Sequence, residues 1–216
     1  MLSRSRPILI LALAALAALA AAAVIPATRD AGLRAVGWGL VARDPLAHAD
    51  VIVISNDADG SGVLEAADLV HEGIATQVAL FTRSPTLAAR EFARRGVPYD
   101  DSTATAVEEL RALGITFVEG IPGPVAGTHD EGKVLAPWCR ENQYRTVVVV
   151  STSDHSRRTR RVLHRAMRGT RTRIIVWYSH YSSFDPNSWW QTRNGVRIAI
   201  EEYQKLLLDF LSHPLG

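Results

Sequence analysis

A repeated alternation constrains this chain more than any other feature: short runs of β-branched residues are separated by longer amphipathic stretches. The run Asp50-Val51-Ile52-Val53-Ile54-Ser55 is apolar without a break. It fits a strand buried on both faces, as in a parallel sheet, better than a half-exposed antiparallel strand. The same reading predicts strands over Gln77–Thr82, Ile115–Val118, Val147–Val150 and Ile174–Tyr178. Between them lie predicted helices over Leu64–His71, Thr86–Arg95, Ala104–Leu113, Glu131–Asn142 (with Pro137 inside it), Ser156–Arg168 and Asn194–Leu211. Strand–helix alternation of this kind implies parallel βαβ units and a Rossmann-like α/β three-layer sandwich with a mainly parallel sheet.

The N-terminus reads differently. Arg4 and Arg6 precede an uncharged apolar run, Ile8–Ile25. The run is at the short limit for a membrane-spanning helix and the long limit for a signal-peptide core. The expectation is a retained single-pass anchor, with a cleaved signal near Ala21–Ala23 as the alternative. Basic residues ahead of the run place the N-terminus in the cytoplasm and the domain on the extracytoplasmic side of the plasma membrane. This divides the chain into an anchor or signal segment over 1–26, a Gly-containing tether over 27–48 and one α/β domain over 49–212.

Net charge is +2, so no global field points to nucleic acid. Basic residues nevertheless crowd the stretch from Arg140 to Arg173. The single Cys139 excludes an intramolecular disulfide and reads as a buried, inert thiol. There is no G-x-G-x-x-G, P-loop or nucleophile elbow, so nucleotide hydrolysis and lipase-type chemistry have no support.

Ligands of open α/β sheets bind beyond the carboxyl ends of the strands, and three polar segments are candidates for that edge. The first is Ser151-Thr152-Ser153-Asp154-His155, with Arg158 one turn on. A strand-to-helix turn offers backbone N–H groups and a helix dipole to an anion. Ser151, Thr152 and Ser153 would cradle the anion and Arg158 would clamp it. His155 would move a proton near working pH. Arg157, Arg161, Arg165 and Arg168 lie off the apolar face of the same helix and read as a solvated basic surface. The second segment holds Thr128 and Glu131, spaced as a capping box. A structural role suffices for that pair, and a second wall of the site, with Glu131 as base or metal ligand, is the functional alternative. The third is Asp57–Asp68, in which Asp57, Asp59, Ser61, Glu65 and Asp68 follow the ligand spacing of a Ca2+ loop, with Gly62 at its sixth position and Gly60 nearby. An EF-hand needs a helix before that loop, and here a strand precedes it. A Gly-containing turn is therefore the competing reading.

Taken in order, the strand Asp50–Ile54, Gly96-Val97-Pro98, Thr128-x-x-Glu131, Val149-Val150-Ser151-x-x-x-His155-x-x-Arg158 and a final helix carrying Glu201, Glu202 and Tyr203 resemble the SanA/YdcF-like family of bacterial envelope proteins, domain of unknown function 218. The resemblance covers roughly Asp50–Phe210. It implies a Rossmann-like domain behind one membrane segment, with a role in cell-envelope maintenance and a phosphorylated envelope metabolite as ligand. The family pattern has glycines where this chain has Ser55-Asn56-Asp57, and an Arg early in the first helix where this chain has Glu65 or Asp68. Both departures make the first loop acidic and favour a metal there. Three functions stay open at this point: an envelope enzyme, a non-catalytic module binding a small anion, and a membrane scaffold.

Overall fold

The computed structural model describes residues 25–97 and 102–214. The anchor expected over 1–26 lies, but for its last two residues, outside them, as does Pro98. Among the described residues no helix is long and apolar enough to cross a membrane.

Five strands, β1 (Val51–Ile54), β2 (Gln77–Arg83), β3 (Phe117–Val125), β4 (Thr146–Ser151) and β5 (Arg173–Tyr178), form one sheet in the order β3-β2-β1-β4-β5. Every neighbouring pair is parallel. The described helices are α1 (Pro26–Leu40), α2 (Asp59–His71), α3 (Leu87–Arg94), α4 (Ser102–Ala112), α5 (Thr128–Glu141), α6 (Ser156–Ala166) and α7 (Arg193–Ser212). This is the α/β, Rossmann-like architecture that the alternation predicts.

The all-apolar strands are buried on both faces because helices cover both. Ile52, Ile54, Val148 and Val150 pack with Val63, Leu69 and Leu110 of α2 and α4. Val51, Val53, Val147 and Val149 pack with Leu135, Trp138 and Leu163 of α5 and α6. Cys139 belongs to the second cluster, and burial pushes its thiol up to about 12, so it is inert as expected. Each fully buried Val or Ile side chain is worth roughly 1.5–3 kcal/mol, which makes β1 and β4 the most firmly held part of the sheet.

Two expectations fail here for physical reasons. The stretch 27–48 is no tether, since its first part is α1. Gly37 and Gly39 serve close approach rather than flexibility. A Cβ on Gly37 would lie 2.3 Å from the Pro186 carbonyl oxygen, and one on Gly39 would lie 2.3 Å from the Tyr203 hydroxyl. That hydroxyl donates to Val36 O at 2.5 Å, and Trp189 Nε1 donates to Leu33 O at 2.8 Å, so α1 is pinned to α7 and to the segment before it. Trp189 is therefore a packing residue under α1. The second failure is β3, which runs well past Val118 through Pro122 and Pro124. Prolines are tolerated on an edge strand because no partner needs their missing N–H, and the register with β2 shifts beside them.

The other edge is closed by the segment entering β1. The Asp44 backbone N–H donates to Val176 O at 3.0 Å, and the Val176 N–H donates to the Asp44 carboxylate at 3.0 Å. The order of the sheet reverses direction between β1 and β4. That switch point lies at the carboxyl ends of β1 and β4, where an open α/β sheet receives a ligand.

Candidate functional site

Four elements deliver polar side chains to this switch point. The turn after β1 brings Ser55, Asn56 and Asp57. The start of α5 brings Thr128 and Glu131. The start of α6 brings Asp154, His155 and Arg158, and the inner face of α7 brings Glu202.

Glu202 is the organiser. It is 2% exposed, yet it meets three cations: His155 Nδ1 at 2.7 Å, Arg158 Nε at 3.1 Å and Lys205 Nζ at 2.7 Å. The His155 contact is an ion pair in which the oxygen lies off the ring N–H axis. Burial opposes ionisation of Glu202, but these cations outweigh it and draw the carboxyl down to about 2. Burial likewise opposes charge on His155. The carboxylates of Glu202, Asp154 and Asp57 outweigh it, so the imidazole pKa lies above its ordinary value.

Thr128 and Glu131 do not form the capping box expected of them. Gly127 takes the N-cap position without a side-chain cap, and both residues turn into the site. Thr128 Oγ1 accepts from Arg158 Nη1 at 2.9 Å and donates to Asp57 Oδ2 at 3.4 Å. Glu131 is fully buried; its Oε1 accepts from Ser55 Oγ at 3.0 Å and from the Asn56 N–H at 2.5 Å. Its Oε2 is buried without a hydrogen-bond partner. Burial, with a smaller push from Asp57, raises the Glu131 carboxyl to about 7 against the pull of those donors and of Arg158. Two carboxyls of one site thus sit far apart in acidity, the pattern by which acid and base roles divide.

The structure therefore brings His155, Arg158, Thr128 and Glu131 together as candidates, but not the serine cradle. Ser151 is fully buried and shares its hydroxyl with Thr159 at 3.3 Å, and Ser153 Oγ donates to Phe184 O at 2.6 Å. Neither is free to hold a ligand. Thr152 Oγ1 alone of the three is buried without a partner.

The Ca2+ loop does not form either. Residues from Asp59 onward are already helix α2, and a helix sends ligands at that spacing in different directions. Asp59 pairs with Arg83, and Ser61 Oγ donates to Ala58 O at 2.6 Å. Glu65 accepts from Trp177 Nε1 at 2.7 Å and from the His180 N–H at 2.8 Å. Asp68 accepts from Tyr181 Oη at 2.7 Å, while Asp57 alone faces the site. Among the described residues no group of three or more His, Cys, Asp or Glu is arranged to hold a metal ion. Nearby, Ser55, Asn56, Asp59 and Arg83 border a cavity of about 40 Å3, room for water rather than a metabolite.

Of the four arginines expected on a solvated basic face, Arg168, past the end of α6, is exposed, but the other three are only partly so. Arg161 and Arg165 are 17% and 18% exposed and bind Asp209 of α7 at 2.9 and 2.8 Å, and Arg157 donates to Val41 O at 2.8 Å. They clamp α7 and the entry to β1 onto α6.

Glu202 and Asp57 are the site residues that the pattern of motifs missed in these roles. Glu202 had a legible signal: it falls on the inward stripe Gly195, Ala199, Glu202 and Leu206, where a carboxylate needs a reason. No family model and no curated protein matches the chain. Among solved structures it is similar to a universal stress protein in complex with cAMP, at 18% identity over 63% of this chain and 100% of that one, with a TM-score of 0.36.

Proposed function

We propose that this domain binds, and by acid–base chemistry processes, a small anionic ligand carrying a phosphate group, as a SanA/YdcF-like protein of the cell envelope held at the membrane by its N-terminal segment. The observation that carries the reading is the convergence of Arg158, His155 and Thr128 at the switch point, beside a buried carboxyl that exchanges its proton near neutral pH. Arg158 supplies fixed charge and a planar fork suited to phosphate. His155, held by Glu202, supplies a second donor. The hydroxyls of Ser151 and Ser153 are occupied, so hydrolysis would proceed through a water molecule: ionised Glu131 takes its proton as the oxygen bonds to phosphorus, the P–O bond to the leaving group breaks, and protonated His155 gives a proton to the departing oxygen.

A binding-only role is the second reading, favoured by that same lack of a free serine nucleophile in the Ser151–Ser153 turn. Titration of the full-length protein with inorganic phosphate and pyrophosphate tests binding. Phosphate release from an isoprenyl pyrophosphate tests turnover. Arg158→Ala is expected to lose roughly 10- to 150-fold in affinity, the worth of a charged hydrogen-bond partner, and Arg158→Lys part of that. Arg161→Ala, once shown to be folded, is expected to bind like wild type. Equal binding by the Arg158 and Arg161 variants would refute the anion site. Binding without phosphate release would select the binding-only reading.

A further inference from the structure

A carboxylate of the chain itself already faces the donors of the site. Asp57 Oδ2 lies 3.4 Å from Thr128 Oγ1, 3.8 Å from Arg158 Nη2 and 3.9 Å from His155 Nε2. Each of these donors has its other valence fixed elsewhere. Arg158 gives Nε to Glu202 and Nη1 to Thr128, which leaves Nη2 turned towards Asp57. His155 faces Glu202 through Nδ1, which leaves Nε2. Thr128 accepts from Arg158, which leaves its O–H to donate. Three donors, one from each of three groups, therefore converge on a single carboxylate oxygen.

That oxygen is loosely held. A strong charged hydrogen bond spans about 2.7–2.9 Å, and none of the three distances comes near it. Asp57 sits on the turn after β1 with its side chain 29% exposed, whereas Arg158 and His155, and the Glu202 that pairs with both, are 16%, 17% and 2% exposed. The donors are largely buried and held by other partners, and the acceptor is peripheral.

We propose that Asp57 is an internal stand-in for the ligand: the three donors form the seat of a terminal phosphate group, and that group binds by displacing the Asp57 carboxylate. This rests on the anion-site reading above and adds its stereochemistry and its regulation. A terminal phosphate offers three oxygens to three donors and carries more charge than the carboxylate it replaces. Occupancy by Asp57 keeps two buried cations neutralised when no ligand is bound, and it sets a threshold affinity that a weak anion fails to pass. The acidic turn Ser55-Asn56-Asp57 thus serves as a plug rather than as a metal loop.

The test titrates inorganic phosphate into full-length wild type, Asp57→Asn, Asp57→Ala and Asp57→Ala/Arg158→Ala by calorimetry at constant ionic strength. Removing an internal competitor raises apparent affinity by the fraction of sites it freed, here expected to be on the order of tenfold. Both single variants are expected to bind phosphate more tightly than wild type, and the double variant to lose the gain. Asp57 is partly exposed, and Asn is nearly isosteric with Asp, so Asp57→Asn carries the comparison if the Ala variant unfolds. Equal affinity in wild type and both single variants would overturn the stand-in while leaving the anion site intact. Weaker binding by the variants would make Asp57 a ligand contact and overturn it as well. Absence of phosphate binding in every protein would overturn both readings.

Discussion

Replacing Glu202 with Gln keeps the shape of the side chain and removes the charge on which His155, Arg158 and Lys205 converge. The folded protein lowers the Glu202 carboxyl from 4.5 to about 2. At about 1.4 kcal/mol per pKa unit, ionised Glu202 contributes about 3 kcal/mol to folding at neutral pH. Breaking a buried ion pair from one side typically costs 3–5 kcal/mol, so two routes agree. The sign follows from the direction of each shift. A depressed carboxyl stabilises above its unfolded value of 4.5, and that contribution is lost as pH falls through about 2. The raised His155 acts oppositely: its contribution is full below 6.5 and fades as pH climbs through its higher folded value. The deficit of Glu202→Gln should therefore be greatest between about pH 4.5 and 6.5, shrink moderately above that range as His155 loses its proton, and collapse towards pH 2. Urea denaturation of wild type and variant across this range measures it. A deficit below about 1 kcal/mol at pH 6, or one that does not vary between pH 6 and pH 3, would refute Glu202 as the electrostatic centre of the site.

Glu131→Gln is expected to leave stability little changed at pH 5 and to raise it at pH 8. A carboxyl lifted to about 7 forfeits stability as pH rises from its ordinary value through that point, whereas an amide does not titrate; melting curves at the two pH values check this, and a variant less stable than wild type at pH 8 would contradict it. Gly37→Ala should destabilise by about 1–3 kcal/mol, because the new Cβ meets the Pro186 carbonyl oxygen. A neutral substitution there, read by thermal melting, would mean that α1 is a loose tether after all.

The layout was legible because both-face burial leaves an unmistakable trace: Val51–Ile54 and Val147–Val150 are apolar at every position, and only a covered parallel strand needs that. His155 and Arg158 were legible for a similar reason, since they open a helix directly after the most apolar strand. What stayed hidden involves choices between two local structures. Thr128 and Glu131 have the spacing of a cap, but long-range partners on Arg158, Ser55 and Asn56 draw both side chains away from the helix backbone. Asp57–Asp68 has the spacing of a metal loop, but Val63, Ala66 and Leu69 need a helical face to reach the core, and their burial decides the matter. Arg161 and Arg165 look solvated because α7, which carries Asp209, comes far later in the chain.

The two borders of the sheet bear on how copies of this protein behave when crowded. An open strand border is a template on which another chain can pair and from which fibrous aggregates grow. Here each border is interrupted at one place. Pro122 and Pro124 deprive the β3 side of amide donors, and the Asp44 segment caps the β5 side through Val176. With each border interrupted in this way, strand pairing between crowded copies has only short stretches of ladder to build on.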